Sequence, residues 1–92
     1  MGTSNEIVRY RKEINGRIIE VVIWLLSEPV SGSTHHFKYR LFYGTSEGVC
    51  FVRYDNERGK GDHRHFGNHE EAYSFISLKK LLYDFEADTE RI

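Results

Sequence analysis

Cysteine is nearly absent from this chain. Cys50 is its only cysteine, so an internal disulfide is excluded. Small proteins of oxidising compartments commonly depend on disulfides, whereas an unpaired cysteine suits the reducing cytosol. We therefore expect a cytoplasmic protein.

Long apolar runs are absent as well. The longest one extends from Ile18 to Leu26 and is interrupted by Glu20. A membrane-spanning helix needs about 20 apolar residues, so this run is too short to cross a bilayer. It also lies too far along the chain for a signal peptide. We expect no membrane partner.

An excess of charge of one sign is also missing. The chain has 13 Lys and Arg against 14 Asp and Glu, a net charge of −1, which argues against indiscriminate binding to polyanions. Its 39% hydrophobic and 29% charged residues are typical of a folded soluble protein. A length of 92 residues allows one modest core, so we predict a single domain over residues 1–92.

Alternating patterns predict an antiparallel sheet. Residues 6–14 alternate apolar and charged side chains, which is the period of a half-buried strand. Asn15-Gly16 follows, and both residues tolerate the positive φ of a two-residue hairpin turn. After a frayed start over residues 1–5, we predict strands at residues 6–14, 17–27, 35–43 and 49–55, with a short fifth strand at 62–66.

The period changes at Asn68. Asn68 with Glu71 three positions later is typical of a helix N-terminus. Apolar residues then recur at intervals of three and four, and no proline or glycine follows Gly67. We predict one long helix over residues 68–88, packed on one face of the sheet. The expected fold class is α+β, with two layers and an antiparallel sheet of four or five strands.

One face of the predicted sheet is basic. Alternation places arginines and lysines on the face that the helix would leave uncovered, with aromatic residues between them. Cations for phosphates and flat rings for bases are what single-stranded nucleic acid requires. The alternative is a solvated face whose arginines pair with Glu13 and Glu20. The candidate RNA-binding residues of this face are Arg9, Arg11, Lys38 and Arg40.

The stretch from Arg53 to Phe66 concentrates ionisable side chains beside glycines. In an extended segment His63 and His65 point the same way, and histidine can act as acid or base near neutral pH. They are the candidate acid–base pair for cleaving a phosphodiester. Lys60 and Arg53 are candidate phosphate-binding cations. Asp55 or Asp62 could orient an imidazole, and we predict that Asp55 does so.

Further residues of this stretch are candidates for binding substrate. Gly59 and Gly61 could bring backbone amides close to a phosphate. Tyr54 could donate to a phosphate, although an aromatic residue at a strand end is more often core. Arg64 points to the opposite face from the histidines in an extended strand, so it ranks lower.

Two other interpretations of the histidines stay open. The stretch could be a surface loop in which the histidines have no function. Alternatively, His63 and His65 could ligate zinc or another divalent ion, with His69 or Asp62 as a third ligand.

The same stretch resembles the TumE family of prokaryotic toxins from toxin–antitoxin modules. The resemblance is carried by Val52-Arg53-Tyr54-Asp55-Asn56 and by Gly59-Lys60-Gly61-Asp62-His63-Arg64-His65. It implies a cytosolic toxin that is held in check by an antitoxin, commonly a small DNA-binding protein. It implies no catalytic role for any residue.

These observations together predict the toxin of a toxin–antitoxin module that cleaves RNA as a metal-independent endoribonuclease, without a cofactor. A non-catalytic RNA- or ribosome-binding protein is the first alternative. A metal-dependent phosphodiesterase that uses the His-x-His pair is the second. The sheet edge or the helix flank could pair with the antitoxin or with a second copy of the chain.

Overall fold

A computed structural model describes residues 3–92 of the chain. A single six-stranded antiparallel sheet runs in chain order, each strand pairing with the next. The predicted count of four or five strands was therefore too low. The strands are β1 (Ser4–Ile14), β2 (Arg17–Leu26), β3 (Phe37–Thr45), β4 (Cys50–Glu57), β5 (Gly61–Phe66) and β6 (His69–Ala72), and the helix α1 is Leu78–Glu90.

The hairpin between β1 and β2 forms at the predicted turn. Asn15 and Gly16 have φ angles of 52° and 78°, the left-handed values that a type I′ turn requires, and Ile14 pairs with Arg17 across it. The N-terminal end of β1 differs from expectation, because Ser4 and Asn5 already pair with β2. Positions 1 and 2 of the predicted frayed start lie outside the described residues.

The predicted helix start was wrong. Gly67, with a φ of 58°, and Asn68 instead form a tight turn that allows β6 to pair with β5, His69 opposite Phe66. The helix begins ten residues later than expected, at Leu78, where the hydroxyl of Ser77 accepts a hydrogen bond from the Lys80 amide at 3.1 Å. Within residues 3–92 no helix has the length and hydropathy needed to cross a membrane.

The core lies between the sheet and α1, as predicted for a two-layer α+β fold. Leu81 and Phe85 of the helix are buried at 0% and 4% exposure. They pack with buried sheet residues from β2, β3 and β4, namely Val21, Ile23, Tyr39, Leu41, Tyr43, Val52 and Tyr54. We call this side of the sheet the helix face.

The opposite side of the sheet is the open face. The register places Arg40 beside Asp55 and Asp55 beside His63, while Phe42 lies beside Arg53 and Arg53 beside His65. Side chains alternate between faces along a strand, so these residues point away from α1. The two candidate histidines therefore lie on the side that the helix does not cover.

Candidate functional site

The two histidines of β5 are adjacent on the open face. Their ring centroids lie 5.0 Å apart and the rings are inclined by 73°. The prediction that both imidazoles project to the same side is confirmed, and it follows from the two-residue period of a strand. Pairing of β4 with β5 adds Asp55 opposite His63 and Arg53 opposite His65.

His63 is buried, with only 3% of the residue exposed. Its Nδ1 lies 3.0 Å from the carbonyl oxygen of Gly61. A carbonyl oxygen only accepts, so Nδ1 carries a proton. Its Nε2 lies 2.5 Å from Asp55 Oδ1, but the two groups do not have the orientation of a hydrogen bond.

His65 is partly exposed and contacts Arg53. The Nη2 group of Arg53 donates to His65 Nε2 at 3.0 Å, so this nitrogen is the unprotonated one. Burial and the nearby Arg53 guanidinium lower the pKa of His65 below its ordinary value. Arg53 Nε also lies 3.2 Å from Asp55 Oδ2. The arginine thus bridges His65 and Asp55, and the neutral imidazole has the form that a base requires.

Lys60 reaches the site from the turn between β4 and β5. Its Nζ lies 2.7 Å from Glu70 Oε1, and this contact lowers the pKa of Glu70. Carboxylate oxygens of Glu70 and Glu57 lie 3.8 and 4.0 Å from His63 Nε2. The predicted cation is therefore at the site, but it is accompanied by acidic groups that the sequence pattern did not indicate.

The four candidate RNA-binding cations lie on the open face, and each contacts an acidic side chain or a backbone carbonyl oxygen. Arg11 is 3.8 Å from Glu13 and Arg40 is 2.7 Å from Glu20, the pairs expected of a solvated face. Arg9 pairs with Glu6, and Lys38 donates to the carbonyl oxygen of Asn56. An RNA strand would have to compete with these contacts, which are weak where both side chains are exposed.

The glycines of the β4–β5 turn have a structural function that the sequence did not reveal. The Gly59 amide donates to the Ser31 carbonyl oxygen at 2.7 Å. A Cβ atom on Gly61 would lie 2.7 Å from the Gly32 carbonyl oxygen. The glycines thus allow the loop before β3 to pack against the turn, and this geometry does not support the predicted phosphate-binding roles of Gly59 and Gly61.

We predict that Gly61→Ala destabilises the protein more than Gly59→Ala. Both residues have positive φ, 75° and 84°, which costs an L-residue about 1–2 kcal/mol. The Gly59 position has open space around it, whereas the Gly61 methyl group meets backbone, which adds about 1–3 kcal/mol. Chemical denaturation of the two variants measures the difference. Equal losses would show that the close approach to Gly32 is not a constraint.

Tyr54 and Arg64 lie on the helix face, away from the histidines. Tyr54 is completely buried, and its hydroxyl donates to Asp88 of α1. Burial and this hydrogen bond raise the pKa of the Tyr54 hydroxyl. Arg64 Nη1 lies 3.2 Å from the same carboxylate, and Arg64 Nη2 lies 2.9 Å from Glu71. These contacts join the helix to β4, β5 and β6, so they do not support the predicted substrate-binding roles of Tyr54 and Arg64.

Asp62 does not orient His63 or His65. Its carboxylate lies on the helix face, where it is 2.6 Å from His35 Nε2 and accepts hydrogen bonds from Ser33 at 2.6 Å and Tyr39 at 2.8 Å. The His35 ring stacks on Phe75 with centroids 3.7 Å apart. This cluster fixes the loop before β3, and no local spacing could have revealed partners that lie 27 residues apart.

Three side chains of the open face could hold a metal ion together. Asp55, His63 and His65 each offer one ligand atom, and these atoms lie within 4.8 Å of one another. The third ligands proposed from the sequence were wrong, because Asp62 points to the helix face and His69 pairs with Glu71 at 3.3 Å. Three surface cavities, of 440, 380 and 400 Å³, lie elsewhere, because Asp55, His63 and His65 are not among their lining residues.

Comparisons with known proteins agree with the resemblance seen in the sequence. The family model described as Toxin TumE matches residues 2–92, nearly the whole chain. The search of curated proteins and the search of solved structures found no match.

Proposed function

The chain belongs to the TumE toxin family and is the toxin component of a toxin–antitoxin module, and we propose that it cleaves RNA as a metal-independent endoribonuclease. The observation that carries this proposal is the pair of imidazoles 5.0 Å apart on the open face, with Arg53 in contact with one of them. An acid, a base and a cation are the groups that metal-free cleavage of RNA needs.

His65 is the proposed base. Its unprotonated Nε2 is occupied by Arg53 at 3.0 Å in the free protein. A bound phosphodiester offers the Arg53 guanidinium a negatively charged acceptor. Arg53 then moves from His65 to the phosphate, and His65 Nε2 becomes available. The imidazole then takes the proton of the 2′-hydroxyl, and the 2′ oxygen attacks the phosphorus atom. Arg53 stabilises the negative charge that develops on the phosphoryl oxygens.

His63 is the proposed acid. The Gly61 carbonyl fixes the ring through Nδ1, and Nε2 faces the Asp55 carboxylate. Proton transfer from His63 to the departing 5′ oxygen leaves a 5′-hydroxyl end and a 2′,3′-cyclic phosphate end. Because His63 is only 3% exposed, neighbouring side chains must move to admit the substrate, and we infer that the ion pair of Lys60 with Glu70, whose Oε1 lies 3.8 Å from His63 Nε2, opens. A phosphate that binds the exposed Lys60 ammonium provides the driving force.

The partners follow from membership of the family. A toxin of this family has an antitoxin partner. We propose that the antitoxin is a small DNA-binding protein, and that the toxin acts on RNA in the cytoplasm. A short helix-turn-helix protein encoded beside this chain would support the first of these statements.

RNA cleavage by the purified protein in EDTA tests the mechanism. We expect 2′,3′-cyclic phosphate ends, and we expect no cleavage of the same oligonucleotide when the 2′-hydroxyl at the cut site is replaced by hydrogen. Mass spectrometry of the fragments identifies the ends. Binding of RNA without any cleavage, weakened by Arg53→Ala and falling steeply with salt, would instead indicate the non-catalytic RNA-binding alternative.

A further inference from the structure

In the described part of the chain, three buried polar atoms of the open face lack a hydrogen bond, and they are Arg53 Nε, Asp55 Oδ1 and His63 Nε2. Among residues 3–92, Asp55 Oδ1 and His63 Nε2 are inaccessible to solvent and have no hydrogen-bond partner, although they lie 2.5 Å apart. The two residues are 94% and 97% buried, since their exposures are 6% and 3%. Nearly all buried polar groups in proteins are satisfied, so an unsatisfied pair requires an explanation, and a bound ion is one.

We propose that Asp55, His63 and His65 bind a divalent transition-metal ion such as Zn²⁺, and that the occupied protein is the inactive form of the toxin. Two imidazoles and one carboxylate are the ligand types that Zn²⁺ and its neighbours in the first transition row prefer. Their ligand atoms are already within 4.8 Å of one another.

The surroundings of the three ligands are those of a metal site. A histidine that binds a metal commonly donates its other ring N–H to a backbone carbonyl, and His63 Nδ1 does so to Gly61. The second oxygen of the carboxylate, Asp55 Oδ2, lies 3.2 Å from Arg53 Nε, an ion-pair contact without the orientation of a hydrogen bond. These two contacts leave His63 Nε2 and Asp55 Oδ1 for the ion.

The local charge also favours a divalent cation. Three carboxylates, of Asp55, Glu57 and Glu70, lie within 4.0 Å of His63 Nε2. The cations in contact with these carboxylates are Arg53 and Lys60, so among the contacting groups the acidic ones exceed the basic ones by one (3 − 2 = 1). Glu70 Oε1, at 3.8 Å from His63 Nε2, is close enough to supply a fourth ligand after a side-chain rotation.

Binding requires a small local movement. Zinc bonds to nitrogen and oxygen are about 2.0–2.2 Å long, so two tetrahedral ligand atoms are roughly 3.3 Å apart. The contact of 2.5 Å between Asp55 Oδ1 and His63 Nε2 must therefore lengthen by less than about 1 Å. If the ion binds His65 through Nε2, the Arg53 guanidinium must also move away from that nitrogen. The ligands bind in their deprotonated form, so any proton on His63 Nε2 is released to solvent.

Inhibition follows because the ion and the reaction need the same two imidazoles, His63 and His65. A coordinated His65 cannot take the proton of a 2′-hydroxyl, and a coordinated His63 cannot deliver one. This half of the inference rests on the proposed RNA cleavage, whereas metal binding itself does not. The metal-dependent phosphodiesterase considered from the sequence requires the opposite effect, because its activity would need the ion.

Titration of the EDTA-treated full-length protein with ZnCl₂ tests the site. Calorimetry should show one Zn²⁺ per chain, with MgCl₂ giving no comparable heat, because Mg²⁺ prefers oxygen ligands. We expect His65→Gln to weaken binding at least tenfold and the matched control His69→Gln to leave it unchanged, since the His69 side chain is 68% exposed and lies on another strand. Equal affinities of the two variants would overturn the proposed site.

RNA cleavage by the same samples tests the proposed inhibition separately from zinc binding. One equivalent of Zn²⁺ should suppress RNA cleavage, and EDTA should restore it. Zinc binding without suppression, or cleavage only in the presence of zinc, would overturn the proposed inhibition, and the latter result would also overturn the metal-independent mechanism. Zinc binding by a protein that cleaves no RNA under any condition would refute the proposed function and the inhibition while leaving the metal site intact.

Discussion

His65→Ala is expected to lower the rate of RNA cleavage by about 10²–10⁴-fold, the usual contribution of a positioned acid or base. The ring is lost from an open face that α1 does not cover, so the core packing is unchanged. The measurements are single-turnover cleavage in EDTA and growth of cells that produce the variant. We expect the variant to have lost the growth arrest caused by the wild-type toxin.

His69→Ala is the matched control for this loss. His69 is a neighbouring histidine of the same sheet, but its side chain is 68% exposed and pairs with Glu71. Cleavage and growth arrest should be unchanged in this variant. Thermal denaturation of both proteins shows whether they fold. A folded His65→Ala protein with full activity would exclude His65 as the base and, with it, the proposed mechanism.

Phe85→Ala is expected to lower the free energy of unfolding by about 3–5 kcal/mol. The Phe85 ring is 4% exposed and packs edge-on against Tyr54, with centroids 5.7 Å apart. Leu81 and Phe85 are the two buried apolar residues of α1, so they supply much of its apolar contact with the sheet. Small domains have a total stability of about 5–15 kcal/mol, so this single change removes a large part of it.

Tyr83→Ala provides the comparison for Phe85→Ala. It removes an aromatic ring from the same helix two residues away, but Tyr83 is 67% exposed. Surface changes of this kind usually alter stability by less than about 0.5 kcal/mol. Urea denaturation followed by circular dichroism measures both variants. Similar midpoints would mean that α1 does not contribute the stability that its packing indicates.

The arrangement of the strands was largely predictable. Alternating residues in β1 and the Asn15-Gly16 turn are local signals, and a strand period of two fixes which side chains share a face. The same period was enough to predict that His63 and His65 project together. The position of Asp55 beside the histidines was not set by this period, because it depends on the register of β4 with β5.

The start of the helix could not be read from local pattern. Asn68 and Glu71 resemble a helix N-terminus, but the free edge of β5 offers hydrogen bonds that favour β6. Glu71 then pairs with Arg64 across the two strands. Tertiary pairing of this kind overrides local propensity, because it satisfies backbone groups of both strands at once.

By itself, the sequence determined the α+β class, the first hairpin, the shared direction of the two histidines and the family of the chain. Each of these depends on residues that are close in sequence. The tertiary structure alone decided that Asp55 contacts His63, that Asp62 contacts His35 instead, and that Arg53 occupies the nitrogen of His65. Those contacts join residues 8 to 27 positions apart, and only strand pairing and loop packing bring such residues together.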